Sequence, residues 1–180
     1  FMKLTCAAPE AMNLRIRIPS WVNGAVLIQV NGSGIASGTP GTYASINRTW
    51  SNNDSIRFVL PTRLTTVRYS GFDQVGEYER HALFQGPVML GLVGPLTGPG
   101  NVPLLSTDIQ KLPEILTPVA GKSMHYTISG NATYRYLPYW QVNTEAFTCF
   151  PLFPGSLTPT PTAVANARPP TANVTLSKAG

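Results

Sequence analysis

The feature that most constrains this chain is a series of short alternating segments over residues 14–61. Leu14-Arg15-Ile16-Arg17-Ile18 places an apolar residue at every second position with a charged one between, and Val26, Ile28 and Val30, then Ile56, Phe58 and Leu60, repeat the pattern. A period of two is the side-chain period of a β-strand, whose successive Cβ atoms point to opposite faces. Turn chemistry separates the segments: Pro19, Asn31-Gly32, the Gly/Ser/Thr/Pro stretch 32–42, and Ser51-Asn52-Asn53-Asp54. Pro cannot donate to a ladder, and Asn-Gly accepts the positive φ of a tight hairpin turn. The pattern predicts a meander of antiparallel strands at 1–6, 13–18, 25–30, 42–50 and 55–60, with 32–42 too polar and flexible for a core. Leu14, Ile16, Ile18, Ala44, Ile46, Trp50, Ile56, Phe58 and Leu60 are expected to face inward.

Downstream, Leu64–Arg68 continues extended and 73–79 reads as an acidic, partly exposed loop. Residues 81–92 are apolar almost throughout and broken by Gly86-Pro87, which suits a buried strand with a bend. A Gly/Pro-rich loop follows at 93–103, a short helical turn at 109–116, and closing strands at 124–128, 133–137 and 146–150. From Pro151 the composition shifts toward Pro, Thr, Ala and Asn. The expected fold is all-β: an antiparallel β-sandwich, jelly-roll-like, over 1–153, with a Pro-rich linker or tail over 154–180. The chain's 180 residues suffice for one domain with a substantial core. Its 16 Gly and 17 Pro, recurring between short apolar runs, favour strands over helices. No apolar run reaches the roughly 18 residues of a membrane helix. A strand-like start at Phe1 rather than Met reads as a piece of a longer protein.

The formal charge of +5 invites a nucleic-acid reading. Against it, the 13 Lys and Arg residues are scattered and no basic run is interleaved with stacking aromatics. Arg15 and Arg17 occupy the outward positions of a half-buried strand, so they read as a solvated face and no nucleic-acid partner is expected.

The sequence offers no self-contained catalytic centre. Glycoside hydrolysis needs two carboxyl groups about 5–10 Å apart. Glu77 and Glu79 have strand spacing, but nothing else marks them as an acid/base pair. There is no Gly-x-Ser-x-Gly, no Cys/His signature, and no phosphate loop, since the glycines at 94–100 alternate with prolines. Two His and two Cys spread from 6 to 149 have no metal-ligand spacing. No catalytic residue, cofactor or metal site is therefore expected in this chain. Cys6 and Cys149 lie in the first and last candidate strands, either as two buried thiols or as a disulfide in an oxidising compartment.

Aromatic residues are the better functional candidates. Trp140, Tyr134, Tyr136 and Tyr139 are candidate contacts for a sugar ring or a partner, because an aromatic plane suits a sugar's C–H face. Trp50 and Trp21 read instead as core or interdomain packing. Asn31, Asn47, Asn53, Asn131 and Asn173 each begin an Asn-x-Ser/Thr triplet, which leans toward a secreted, extracellular glycoprotein.

The segments LRIRIPSW, VNG, PGTYASINRTW, DSIRFVLP and HALFQGPVML follow one another in an order that resembles glycoside hydrolase family 127, the β-L-arabinofuranosidase-like family. The similarity is to the β-sandwich region that follows its catalytic barrel, and it covers roughly residues 1–150. LPEILTPVAGKSMHY and GNATYRYLPYW resemble the plant-type continuation. The family's catalytic unit is an (α/α)-barrel with a zinc-bound cysteine nucleophile and a glutamate acid/base. Those motifs match no position here, so the resemblance places the family's zinc site outside this chain. Asn52-Asn53-Asp54 departs from the family's usual Gly-Asp turn. The resemblance implies a non-catalytic accessory β-sandwich of a secreted glycoside hydrolase, bracing a catalytic domain or a partner chain. A carbohydrate-binding module and a structural subunit of an extracellular glycoprotein assembly remain as alternatives.

Overall fold

The structure, a computed structural model, describes residues 1–155; the rest of the expected tail and Asn173 lie outside the described residues. The first third forms β1 (Met2–Lys3), β2 (Glu10–Arg17), β3 (Val26–Val30), β4 (Ser33–Gly38), β5 (Tyr43–Trp50) and β6 (Ser55–Arg57). The remainder forms β7 (Leu64–Arg68), β8 (Tyr78–Gln85), β9 (Val88–Val93), β10 (Leu116–Pro118), β11 (Tyr126–Ile128), β12 (Asn131–Pro138), β13 (Phe147–Thr148) and β14 (Leu152–Pro154). The strands pair antiparallel in curled sheets, a β-sandwich-like fold as the alternation predicts.

The first third is not a meander. β5 leaves its chain neighbours and pairs with β2, in register from Glu10 opposite Trp50 to Arg17 opposite Tyr43. The other four strands form a sheet in the order β1-β6-β3-β4. The ribbon and the sheet enclose one hydrophobic cluster: Ile16, Ile18, Val26, Ile28, Val30, Ala44, Ile46, Trp50 and Ile56 are all buried. Two apolar faces must cover each other, and a flat five-strand meander would have left one of them wet.

Residues 32–42, expected to be a loop, contain β4. Asn31 (φ 52°) and Gly32 (φ 85°) make the tight turn that folds β4 back on β3, with Val30 opposite Ser33 and Val26 opposite Gly38. Small residues suit it there. At Gly38 a Cβ would press on Ile18 and lie 3.1 Å from the Ala44 Cβ, so the strand can approach the ribbon only as glycine. Composition suggested flexibility; cross-strand pairing and close approach decide otherwise.

The second sheet runs β10-β11-β12-β9-β8-β14, with β7 also on β8 and β13 also on β9. The apolar run 81–92 is a hairpin rather than one bent strand: Leu83 faces Leu90 and Gln85 faces Val88. Gly86 (φ 58°) makes the turn, and a Cβ there would lie 2.6 Å from Thr62 Cγ2 and 3.3 Å from the Trp21 ring. A second cluster gathers Leu83, Leu90, Leu92, Leu105, Leu112, Tyr136 and Phe153. The expected short turn is the 3-10 segment Ile109–Ile115; it buries Leu112, and Asp108 caps it by accepting from the Gln110 N–H. β14 was not anticipated. Leu152 and Phe153 are fully buried, and Leu152 exchanges backbone bonds with Pro103 and Leu105 at 2.8 and 2.9 Å.

Candidate functional site

Asp54, Asp73, Glu79, Asp108 and Glu145 are engaged in turns, caps and ion pairs, whereas Glu10, Glu77 and Glu114 are exposed. Asp54, buried in the turn before β6, accepts from Asn31 Nδ2 at 2.7 Å and from the Ser51 N–H at 2.9 Å, with Arg48 at 3.8 Å. The Asn31 bond foremost, then the Ser51 N–H, holds its carboxyl below the usual range despite desolvation. Asp73 accepts from the Tyr69 hydroxyl at 2.6 Å and pairs with Arg80, which lowers the carboxyl and raises the phenol. Arg80 also lies over the Tyr69 ring and donates to the Phe150 carbonyl, clamping the loop before β8 to the end of the described chain. Glu145 is lowered by backbone N–H groups, its own and that of Asn143, and it pairs with Arg135 at 3.0 Å.

Glu77 and Glu79 do not make an acid/base pair. Glu77 is exposed, whereas Glu79 is half-buried between Arg68 at 3.4 Å and His81 Nε2 at 3.0 Å. Among the described residues no group of three or more His, Cys, Asp or Glu is placed to hold a metal. Cys6 and Cys149 are both free thiols, so the bridge between them is not formed. They belong to different units: Cys6 lies 4.0 Å from the Trp50 carbonyl, and Cys149 follows β13, where burial pushes its thiol up.

The four aromatic candidates divide. Tyr134 and Tyr136 occupy inward positions of β12, and Tyr134 also lines a groove beside Thr127, Asn131 and Arg135. Tyr134 donates to the Pro95 carbonyl at 3.0 Å. Tyr136 is 1% exposed, its hydroxyl has no partner, and burial drives its phenol far above the ordinary value. An orphaned buried hydroxyl costs about 1–3 kcal/mol of desolvation. Tyr136→Phe is therefore expected to leave stability unchanged or raise it by about 1 kcal/mol, as read by urea unfolding, whereas a hidden partner would make the variant less stable.

Tyr139 and Trp140 lie beyond Pro138, on a 3-10 turn, and are 50% and 56% exposed. Their rings meet edge to face at 5.6 Å. Phe147 on β13 is a third exposed aromatic on this sheet, against the same strand β9 that β12 flanks. Trp50 is a core residue, with Nε1 donating to the Met12 carbonyl at 3.0 Å, and Trp21 packs on the first cluster and reaches Gly86.

Of the glycosylation triplets, Asn31, Asn47 and Asn53 are exposed and Asn131 is half-buried. Asn31 has its amide committed to Asp54, and the Asn131 side-chain oxygen accepts from the Thr133 and Tyr134 N–H groups. Shallow grooves run beside Thr127, Asn131 and Arg135 (about 490 Å³) and beside Leu27, Phe58 and Val59 (about 310 Å³). Sequence reasoning missed one arrangement. Arg15 and Arg17, read as dispersed solvated charges, both stack on the Tyr43 ring, their Cζ atoms 4.7 and 5.3 Å from its centroid. The alternation put them outward, but only the β2–β5 register sets Tyr43 opposite Arg17 and within reach of Arg15.

Comparison with known proteins bears on this geometry. Residues 2–62 match the family model described as the β-L-arabinofuranosidase, GH127 middle domain. That segment is similar to a GH127 middle domain. The match ends where the chain passes from the first cluster into β7, so it takes in the ribbon, the sheet β1-β6-β3-β4 and the core between them. A solved structure described as a glycoside hydrolase aligns over 84% of this chain with a TM-score of 0.52 and 18% identity, which extends the shared fold past the GH127-like segment. The chain spans 29% of that protein's length. No curated protein matches the chain.

Proposed function

We propose that this chain is a non-catalytic accessory β-sandwich of a secreted β-L-arabinofuranosidase-like glycoside hydrolase, bracing a catalytic domain or a partner chain. The observation that carries this reading is the match of residues 2–62 to a middle domain, over a segment that encloses its own hydrophobic core. The sequence-spaced pair Glu77 and Glu79 supports it too, because Glu79 is held by Arg68 and His81 while Glu77 is exposed. Leu27 and Val59, 59% and 74% exposed beside Phe58 and Arg57, provide the kind of apolar strip that packs on a neighbour. A hydrolysis assay of the isolated chain on arabinosides is expected to give no turnover; clear turnover overturns the reading.

A second reading, a carbohydrate-binding module, is favoured by the exposed Tyr139–Trp140 pair. Here a neutral arabinan would be bound, and Trp140→Ala would abolish that binding. Calorimetry that finds no heat with the unsubstituted chain rejects this second reading and leaves the first intact.

A further inference from the structure

The outward face of the β2–β5 ribbon has a chemistry that the core beneath it does not require. Asn13, Arg15 and Arg17 point outward from β2, and Asn47, Ser45 and Tyr43 stand directly across the ladder from them. Two arginines on one face of a strand sit about 7 Å apart and repel each other. Ordinarily such long side chains spread into solvent. Here one ring gathers both guanidinium groups, at 4.7 and 5.3 Å from its centroid. A guanidinium held by stacking keeps its N–H fork free for an anion, and its planar geometry matches a carboxylate.

No carboxylate within the described residues fills that role. The ion pairs engage Arg48, Arg68, Arg80 and Arg135, and none includes Arg15 or Arg17. The ribbon's one acidic residue, Glu10, lies at its opposite end, across from Trp50. The remaining groups beside the arginines are amides and a hydroxyl, which donate and accept without charge.

We propose that this ribbon face binds a carboxylate-bearing polysaccharide. Arg15 and Arg17, pre-organised on Tyr43, take the uronate carboxyl groups, and Asn13, Ser45 and Asn47 take the sugar hydroxyls. The choice of a sugar polymer over an acidic polypeptide rests on the carbohydrate-binding reading above and on the neutral hydrogen-bonding groups in register with the arginines. The site is distinct from the Tyr139–Trp140 surface, which lies on the other sheet.

The test uses the 180-residue chain made in a bacterial host, so that Asn47 carries no glycan. It is titrated calorimetrically with polygalacturonate, with the same polymer after carboxyl reduction, and with polyglutamate. Binding to polygalacturonate is expected, weakening as salt screens the charges. The double variant Arg15→Gln, Arg17→Gln should weaken it by about tenfold or more with an unchanged circular dichroism spectrum, and Lys122→Gln, at an exposed turn before β11, should leave it unaltered. Equal binding to the carboxyl-reduced polymer overturns the proposal; if that binding is lost in Trp140→Ala, the simpler carbohydrate-binding reading survives without it. Equal binding to polyglutamate overturns it in favour of an acidic protein partner. No binding to polygalacturonate overturns it outright.

Discussion

Phe153→Ala is expected to lower the unfolding free energy by about 3–5 kcal/mol. Phe153 is fully buried in β14, belongs to the second cluster, and meets the His81 ring edge-on at 5.8 Å. Its strand is tied on both sides, to β8 through Glu79 and to the 103–105 segment through Leu152. Such a site has little room to collapse around the lost ring, which places the cost toward the upper end of that range. Phe153→Leu, which keeps most of the volume, should cost less than about 1.5 kcal/mol. Urea unfolding followed by circular dichroism measures both. A loss under about 1 kcal/mol for the alanine variant would mean that β14 does not close the second core.

Trp50→Ala should cost a similar amount, about 3–5 kcal/mol, for a different set of contacts. Trp50 is 1% exposed, carries the stacked Arg48 guanidinium at 5.2 Å, and donates to the Met12 carbonyl across the ribbon. The substitution removes the largest side chain of the first core and the bond that pins β2 to β5 near its open end. Because Trp50 and Phe153 lie in separate clusters, the double variant is expected to lose the sum of the two within about 0.5 kcal/mol. A marked departure from additivity would show that the two cores are energetically joined, with Trp21 against the β8–β9 turn as the evident link.

Much of the fold was legible wherever alternation was clean. β2, β3 and β5 fall within a few residues of their expected places, and Trp50, Ile16, Ile46 and Ile56 are buried as expected. What alternation could not supply was pairing. The ribbon joins residue 10 to residue 50 because both strands present an apolar face that must be covered, and no local signal states which partner covers it. β4 and β14 were hidden by composition. Gly, Ser and Pro lower strand propensity, yet a tight turn before β4 and the buried Leu152-Phe153 pair override that weak preference. Among the candidate aromatics, Tyr139 and Trp140 turned outward while Tyr134 and Tyr136 turned inward. Period-two spacing explains the shared side of the last two, but choosing that side required knowing which face of β12 the second core occupies. The Arg15–Tyr43–Arg17 stack was invisible for the same reason as the ribbon.

The division of the hydrophobic residues has a consequence for how the molecule comes into being. Every member of the first cluster, from Leu4 to Leu60, precedes the first member of the second, Leu64. A ribosome that has extruded residue 62 has thus released all the apolar surface the first core will enclose, before any strand of the larger sheet exists to compete for it. The larger sheet, whose β14 comes last, lacks its edge strand until Phe153 emerges.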